Sequence, residues 1–266
     1  MASTLHPSET KTTIDDVQSF KDDRQLAISR VGVKSLRHPI QVASRDGLQS
    51  TVAVFDMYVS LAADQKGTHM SRFVELLQSN EEALSLARFS WLLQEMTAKL
   101  QANHGYLKVR FPFFMKKAAP VSGVQSLLDY EITLQGEWHP NEATITLTVL
   151  VPVTSLCPCS KAISQYGAHN QRSHITVTVT LNAEIPFEQL IERIEAQASS
   201  ELFGVLKRAD EKYVTERAYD NPKFVEDLVR DIARDLKRDP RIKQFVVESE
   251  NFESIHNHSA YARIES

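Results

Sequence analysis

The cysteines of this 266-residue chain, Cys157 and Cys159, lie one residue apart in VPVTSLCPCSKAISQYGAHNQRSHITVT (residues 151–178), with His169 and His174 close behind. Thiolates, imidazoles and carboxylates are the ligands of zinc and neighbouring divalent metals, and a catalytic metal keeps one position open for water. Two cysteines this close cannot staple a large fold, and a reducing compartment keeps them as thiols, so metal binding or catalysis is favoured over a disulfide. Cys-x-Cys alone is a weak metal signal, and two bland buried cysteines explain the pair equally well. Further donors are Glu211 in ADEKY and the run Glu253-Ser254-Ile255-His256-Asn257-His258. Glu253 and His256, three apart, can reach one centre from a turn; His258 competes with His256. Glu211 and Glu226 also read as ordinary exposed helix carboxylates. Lys161 and Arg172 flank the stretch and could bind phosphates, for which arginine's planar fork is suited. His69 and Arg72, in GTHMSRF, stand at a helix mouth whose free N–H groups favour anions. As isolated residues, all four also suit a solvated surface.

The stretch lies between two alternating segments. Glu142 to Val153 alternates through Ile145, Leu147, Val149 and Val151, and Ser173 to Leu181 through Ile175, Val177 and Val179, which predicts strands and puts His174 on the solvent side. Upstream, Ser35 to Val42 and Gln49 to Ser60 read as strands joined through Asp46-Gly47. Helical spacing comes next at Phe73, Leu76 and Leu77 and again at Phe89, Leu93, Met96 and Leu100, and then strands over Tyr106 to Phe114 and Gln125 to Trp138. Downstream, Pro186 and Asn221-Pro222 open two helices, and strands over Lys243 to Val247 and Ser259 to Ile264 close the chain. The pattern is an α+β chain of tandem ββααββ units, halves about 31–138 and 142–266, behind a flexible tail over residues 1–30. Each helix pair should cover one face of an antiparallel sheet, leaving the opposite face apolar or ligand-lined and the units prone to self-associate.

With 30 basic and 34 acidic residues, the charge balance gives no reason to expect a nucleic-acid or membrane partner. The polar start lacks a signal-peptide pattern and no apolar run reaches membrane-spanning length, so a cytoplasmic location is expected.

Ser155-Leu156-Cys157-Pro158-Cys159-Ser160-Lys161, continued by Tyr166-Gly167-Ala168-His169-Asn170-Gln171-Arg172-Ser173, resembles the signature of the type IB GTP cyclohydrolase I family. The stretch from Gly67 to Phe73 and the Glu253 to His258 run are similar too. The resemblance implies the tunnelling fold, bimodular ββααββ subunits assembled around a barrel, with active sites between subunits of a homotetramer. It implies conversion of GTP and water to 7,8-dihydroneopterin triphosphate and formate, the entry to folate pterins, with a divalent metal (zinc, manganese or iron). By motif matching, Cys157, Glu211, Glu253 and His256 are the implied ligands, with His169 a ligand or the proton-transfer residue. Glu226 resembles the carboxylate that anchors a purine-like ring, leaving Lys161, Arg172, His69 and Arg72 for the triphosphate. Two alternatives are a related tunnelling-fold pterin or deazapurine enzyme, such as an NADPH-dependent nitrile reductase, and a non-catalytic metal-binding scaffold.

Overall fold

The computed structural model describes residues 15–140 and 142–266. The first half runs β1 (Ile28–Ser44), β2 (Gly47–Leu61), α1 (Ser71–Gln78), α2 (Leu86–Lys99), β3 (Gly105–Ala118) and β4 (Gln125–His139). The second runs β5 (Glu142–Leu156), α3 (Pro158–Ile163), β6 (Asn170–Leu181), α4 (Phe187–Glu195), β7 (Ser200–Glu201), α5 (Arg208–Asp220), α6 (Val225–Leu236), β8 (Ile242–Asn251) and β9 (Ala260–Glu265). The expected unit is therefore present twice, with α3, β7 and α5 added to the second copy.

The strands form a single antiparallel sheet in the order β1-β2-β3-β4-β5-β6-β8-β9. The two halves are continuous because β4 pairs with β5 from Glu131↔Leu150 to His139↔Glu142. Past Leu150, β7 takes the place of β4 and pairs with Val153 and Thr154. Strand alternation decides which face is covered. Phe55, Met57 and Val59 of β2, Leu147, Val149 and Val151 of β5, and Ile175, Val177 and Val179 of β6 are all buried in one core. Against them pack Phe73, Phe89, Leu93 and Met96 of the first helix pair and Leu190, Ile194, Leu228 and Ile232 of α4 and α6. Contact between α2 and β4 is close at Gly136, where a Cβ would lie 2.7 Å from Leu93 and 2.8 Å from Phe89.

On β5 and β6 the opposite face is polar: Thr146 and Thr148 pair with Thr180 and Thr178, and the Thr148 and Thr178 hydroxyls lie 3.0 Å apart. Threonine keeps the β-branched shape that suits a strand while presenting hydroxyls. In the first half the same face carries exposed Val52 of β2, Phe114 of β3 and Leu127 of β4.

Of the tail expected over residues 1–30, residues 1–14 lie outside the described residues. The segment from Asp16 to Phe20 is attached to the fold. The Gln18 amide donates to the Thr68 carbonyl at 3.1 Å, Lys66 N donates to Phe20 O at 3.1 Å, and Asp16 sits 3.0 Å from His69 Nε2. The sheet also begins three residues before Val31, at Ile28.

Buried Asp210 anchors the start of α5 to the β3–β4 turn. It accepts from Val121 N and Ser122 N at 2.8 Å each, from the Ser122 hydroxyl at 2.6 Å and from Lys207 N at 2.8 Å. Burial pushes its carboxyl up, but these hydrogen bonds outweigh that and hold it well below the usual carboxylate range.

Candidate active site

The strands β5 and β6 hand over to each other at one end of the sheet, and the loop between them is tightly tied. Pro158 supplies a fixed φ for the first turn of α3, and Cys157 caps that turn, its Sγ accepting from Ser160 N at 3.5 Å. His169 closes the loop: its carbonyl accepts from Cys157 N at 3.1 Å, and its own N–H donates to the Ser160 hydroxyl at 3.2 Å. Leu156, just before the cysteine, donates to the Ser199 hydroxyl at 3.1 Å and accepts from Lys223 N at 3.1 Å. The Cys157 thiol and the His169 ring, both half-buried, thus share one rigid frame. Cys159 is exposed and takes no part in it.

His169 Nδ1 faces two oxygens, Gln171 Oε1 at 3.0 Å and Ser254 Oγ at 3.4 Å. The second contact brings the β8–β9 loop, with Glu253 and His256, to the Cys157 end of the sheet. Phe252 N, donating to Arg172 O at 3.0 Å, fixes the start of that loop. His256 stacks on His258 with ring centroids 5.1 Å apart, and both are exposed. His174 is on the other face as expected, edge-on to Phe252 at 4.7 Å. Burial, then the Arg172 charge, lower its pKa.

The remaining predicted residues divide by position. Arg172 is exposed on the polar face beside the loop. Lys161 donates to the Tyr219 carbonyl and lies 4.2 Å over its ring, a cation at the C-terminal end of α5 where the helix dipole favours one. Glu226 is exposed in the first turn of α6, three residues beyond the Lys223 tie to β5. Glu211 is in the first turn of α5, eight residues from Tyr219, which corresponds to about 12 Å along a helix axis. His69 and Arg72 are at the opposite end of the sheet: β2 finishes beside the start of β3, which pairs with the end of β4, whereas Cys157 follows the end of β5. There Arg72 donates to Lys99 O at 3.4 Å.

Among the described residues no three His, Cys, Asp or Glu side chains converge to hold a metal. The donors do suit a borderline divalent cation in kind, since a thiol, an imidazole with one nitrogen free, and a loop carrying a carboxylate and a second imidazole share one sheet end. A cavity of about 670 Å³ between the β1–β2 turn and the start of α4 lies apart from these residues and has neither cysteine nor histidine in its lining.

A family model described as type I GTP cyclohydrolase folE2 matches residues 14–262. The chain belongs to that family. Among its FolE2 relatives, the GTP cyclohydrolase FolE2 of Azoarcus sp. (strain BH72) is 59% identical over 254 residues, covering 95% of this chain and 94% of the relative. That of Thiobacillus denitrificans is 58% identical over 258 residues, covering 97% and 96%. Solved structures similar to this FolE2 family member include a highly active mutant of Bacillus sp. TB-90 urate oxidase, with TM-score 0.52 and 10% identity over 90% of this chain and 99% of that one. The uricase of Arthrobacter globiformis gives TM-score 0.50 and 9% identity over 90% and 92%. At that identity the likeness speaks for the fold alone, and the fold is the tunnelling fold expected from the FolE2 resemblance. No described helix is long and apolar enough to cross a membrane.

Sequence reading missed Ser160, Ser199, Gln171 and Ser254, which hold the frame. Gln171 carried a readable signal: it and Ser173 occupy the buried phase of β6, continued by Ile175, Val177 and Val179.

Proposed function

We propose that this chain is a type IB GTP cyclohydrolase I, hydrolysing GTP to 7,8-dihydroneopterin triphosphate and formate at the head of folate pterin synthesis. The observation that carries this reading is the match to FolE2 cyclohydrolases at 58–59% identity along nearly the whole chain. The frame that presents Cys157 and His169 supports it.

In this reading Cys157, Glu211, Glu253 and His256, with His169 as a further ligand or proton carrier, would hold a divalent ion: zinc, manganese or iron. The chemistry it would supply when bound is acidification of the water that adds to C8 of the purine. His169, whose type exchanges protons near neutral pH, serves the ring nitrogens as the imidazole opens. Glu226 accepts from the guanine N1–H and amino group, a pairing that adenine cannot offer. Arg172 and Lys161 face the triphosphate, Lys161 after leaving Tyr219. In the same reading His69 and Arg72, at the far end of this chain's sheet, serve the site of a second copy in a homotetramer with sites between subunits. The outer strands are β9 and β1, the latter bridged on its outer side by Leu84 at Val42, and they are the edges through which sheets could join into a barrel. A cytoplasmic location suits the two free thiols.

Metal-replete protein should release formate from GTP and generate pterin fluorescence; a chelator should abolish both and added metal restore them. Replete protein inert toward GTP would refute the assignment. Glu226→Gln should lower kcat/KM for GTP by roughly 10- to 100-fold, the scale of a hydrogen bond to a charged group. Unchanged GTP use by this variant would remove Glu226 from guanine recognition.

A further inference from the structure

We propose that Gln171 is a positioning residue that fixes the tautomer and aim of the His169 ring. The inference rests on the reading of His169 as metal ligand or proton carrier and adds what sets its geometry.

Gln171 lies in the phase of β6 that faces the core, and it is 8% exposed. A leucine or valine would continue the pattern of Ile175, Val177 and Val179, and a buried amide is tolerated where a polar partner repays its lost hydration. Gln171 Oε1 has that partner, His169 Nδ1, at 3.0 Å. The residue's backbone is fixed by its pairing with Ser155 in the β5–β6 ladder. Beneath it the Ser155 and Ser173 hydroxyls meet at 2.7 Å, so the amide is rooted in a buried polar layer. Ser254 also faces Nδ1, but at 3.4 Å from an exposed loop, so the rigid support is Gln171.

An amide oxygen can only accept, so the proton of the neutral ring is on Nδ1 and the lone pair on Nε2. Nε2 is then the atom that ligates or accepts a proton, and the strand fixes its direction. A histidine that binds metal through one nitrogen characteristically donates from the other to such a partner. Without the acceptor the ring is free to turn about its bond to Cβ or to take the other tautomer.

The test uses the full-length protein, stripped of metal and titrated with zinc against a chromophoric chelator without GTP, as parent, Gln171→Leu, Gln171→Glu and His169→Ala. Leucine removes the acceptor at similar volume, while glutamate keeps an acceptor oxygen. We expect Gln171→Leu to weaken zinc binding by about 10- to 100-fold, the usual cost of losing such a partner, and Gln171→Glu to restore it. If His169→Ala weakens binding and Gln171→Leu does not, the positioning role is wrong and the ligand reading of His169 survives. Equal loss in both Gln171 variants also overturns it, because packing and not the acceptor would then matter. If His169→Ala leaves zinc affinity unchanged, His169 is not a ligand and the readout moves to turnover. There, a lower kcat at unchanged KM in Gln171→Leu, restored by glutamate, supports the role, and unchanged kcat overturns it.

Discussion

Replacing Cys157 with alanine is expected to reduce formate release from GTP by about a thousandfold or more, the scale on which removal of one catalytic group acts, while leaving the chain folded. The two halves of that expectation come from different atoms. Backbone groups hold the loop: Cys157 N to His169 O, Leu156 N to the Ser199 hydroxyl, and Lys223 N to Leu156 O. None involves the thiol. The side chain contributes one weak cap bond to Ser160 N at 3.5 Å, whose loss costs about 1 kcal/mol by analogy with other N-caps. What the variant loses is the thiol donor held beside His169. Cys159→Ala removes an exposed thiol from outside the frame and should keep near-parental turnover. Metal content, circular dichroism and formate release measured on the pair separate these effects. Full activity in Cys157→Ala would remove the residue from the metal site.

The fold was legible wherever burial is one-sided. Strands β2 to β6 and helices α1, α2, α4 and α6 carry a clean period, because each places one face against the single core. Helix α5 carried no such signal: only Asp210 and Ala218 of its thirteen residues are buried, so its sequence has no apolar stripe. Helix α3 has no buried residue, and its markers, Cys157 as cap and Pro158 in the first turn, read as part of the chemical motif. The pairing of β4 with β5 that unites the halves depends on strand partners, which alternation alone does not specify.

The site was legible in its residue types more than in its assembly. Spacing brought Cys157 and His169 into one loop, and the structure adds Ser254 beside His169. No local pattern could reveal that Lys161 turns toward Tyr219, or that Glu211 lies in the first turn of α5 while the other end of that helix meets Lys161. Nor could it place His69 and Arg72 at the opposite end of the sheet. That separation is a consequence of the antiparallel ladder: β2 and β5 run in opposite directions, so the loops leaving them emerge at opposite ends.

Lys117→Met should destabilise the protein by about 3–5 kcal/mol near pH 8, the cost of leaving a buried charge without its partner. Lys117 Nζ donates to Glu195 Oε1 at 2.7 Å, the Tyr130 hydroxyl donates to the same oxygen at 2.7 Å, and the Lys117 and Glu195 side chains are 10% and 7% exposed. The Phe203 ring lies 4.8 Å from Nζ and shields it further. Burial pushes the Glu195 carboxyl up; Lys117 and the Tyr130 hydroxyl oppose this, Glu201 adds to it, and the net direction is upward. An acid raised in the folded state keeps its proton after the unfolded chain has lost its own, at about pH 4.3. Stability therefore falls as pH rises from that value through the folded pKa. Removing Lys117 raises the folded value further and extends that window upward, so the penalty should be smaller near pH 5.5 than near pH 8. Lys117→Met combined with Glu195→Gln removes the charge yet keeps an oxygen for Tyr130, and should recover most of the loss. Urea unfolding at both pH values measures all three proteins. The same segment reaches the site, since Glu195 ends α4, Ser199 accepts from Leu156 N, and β7 pairs beside Val153 and Thr154. Loosening it should therefore lower turnover in the single variant and not in the double. Equal unfolding midpoints for Lys117→Met and the parent at both pH values would show that Glu195 does not depend on this lysine.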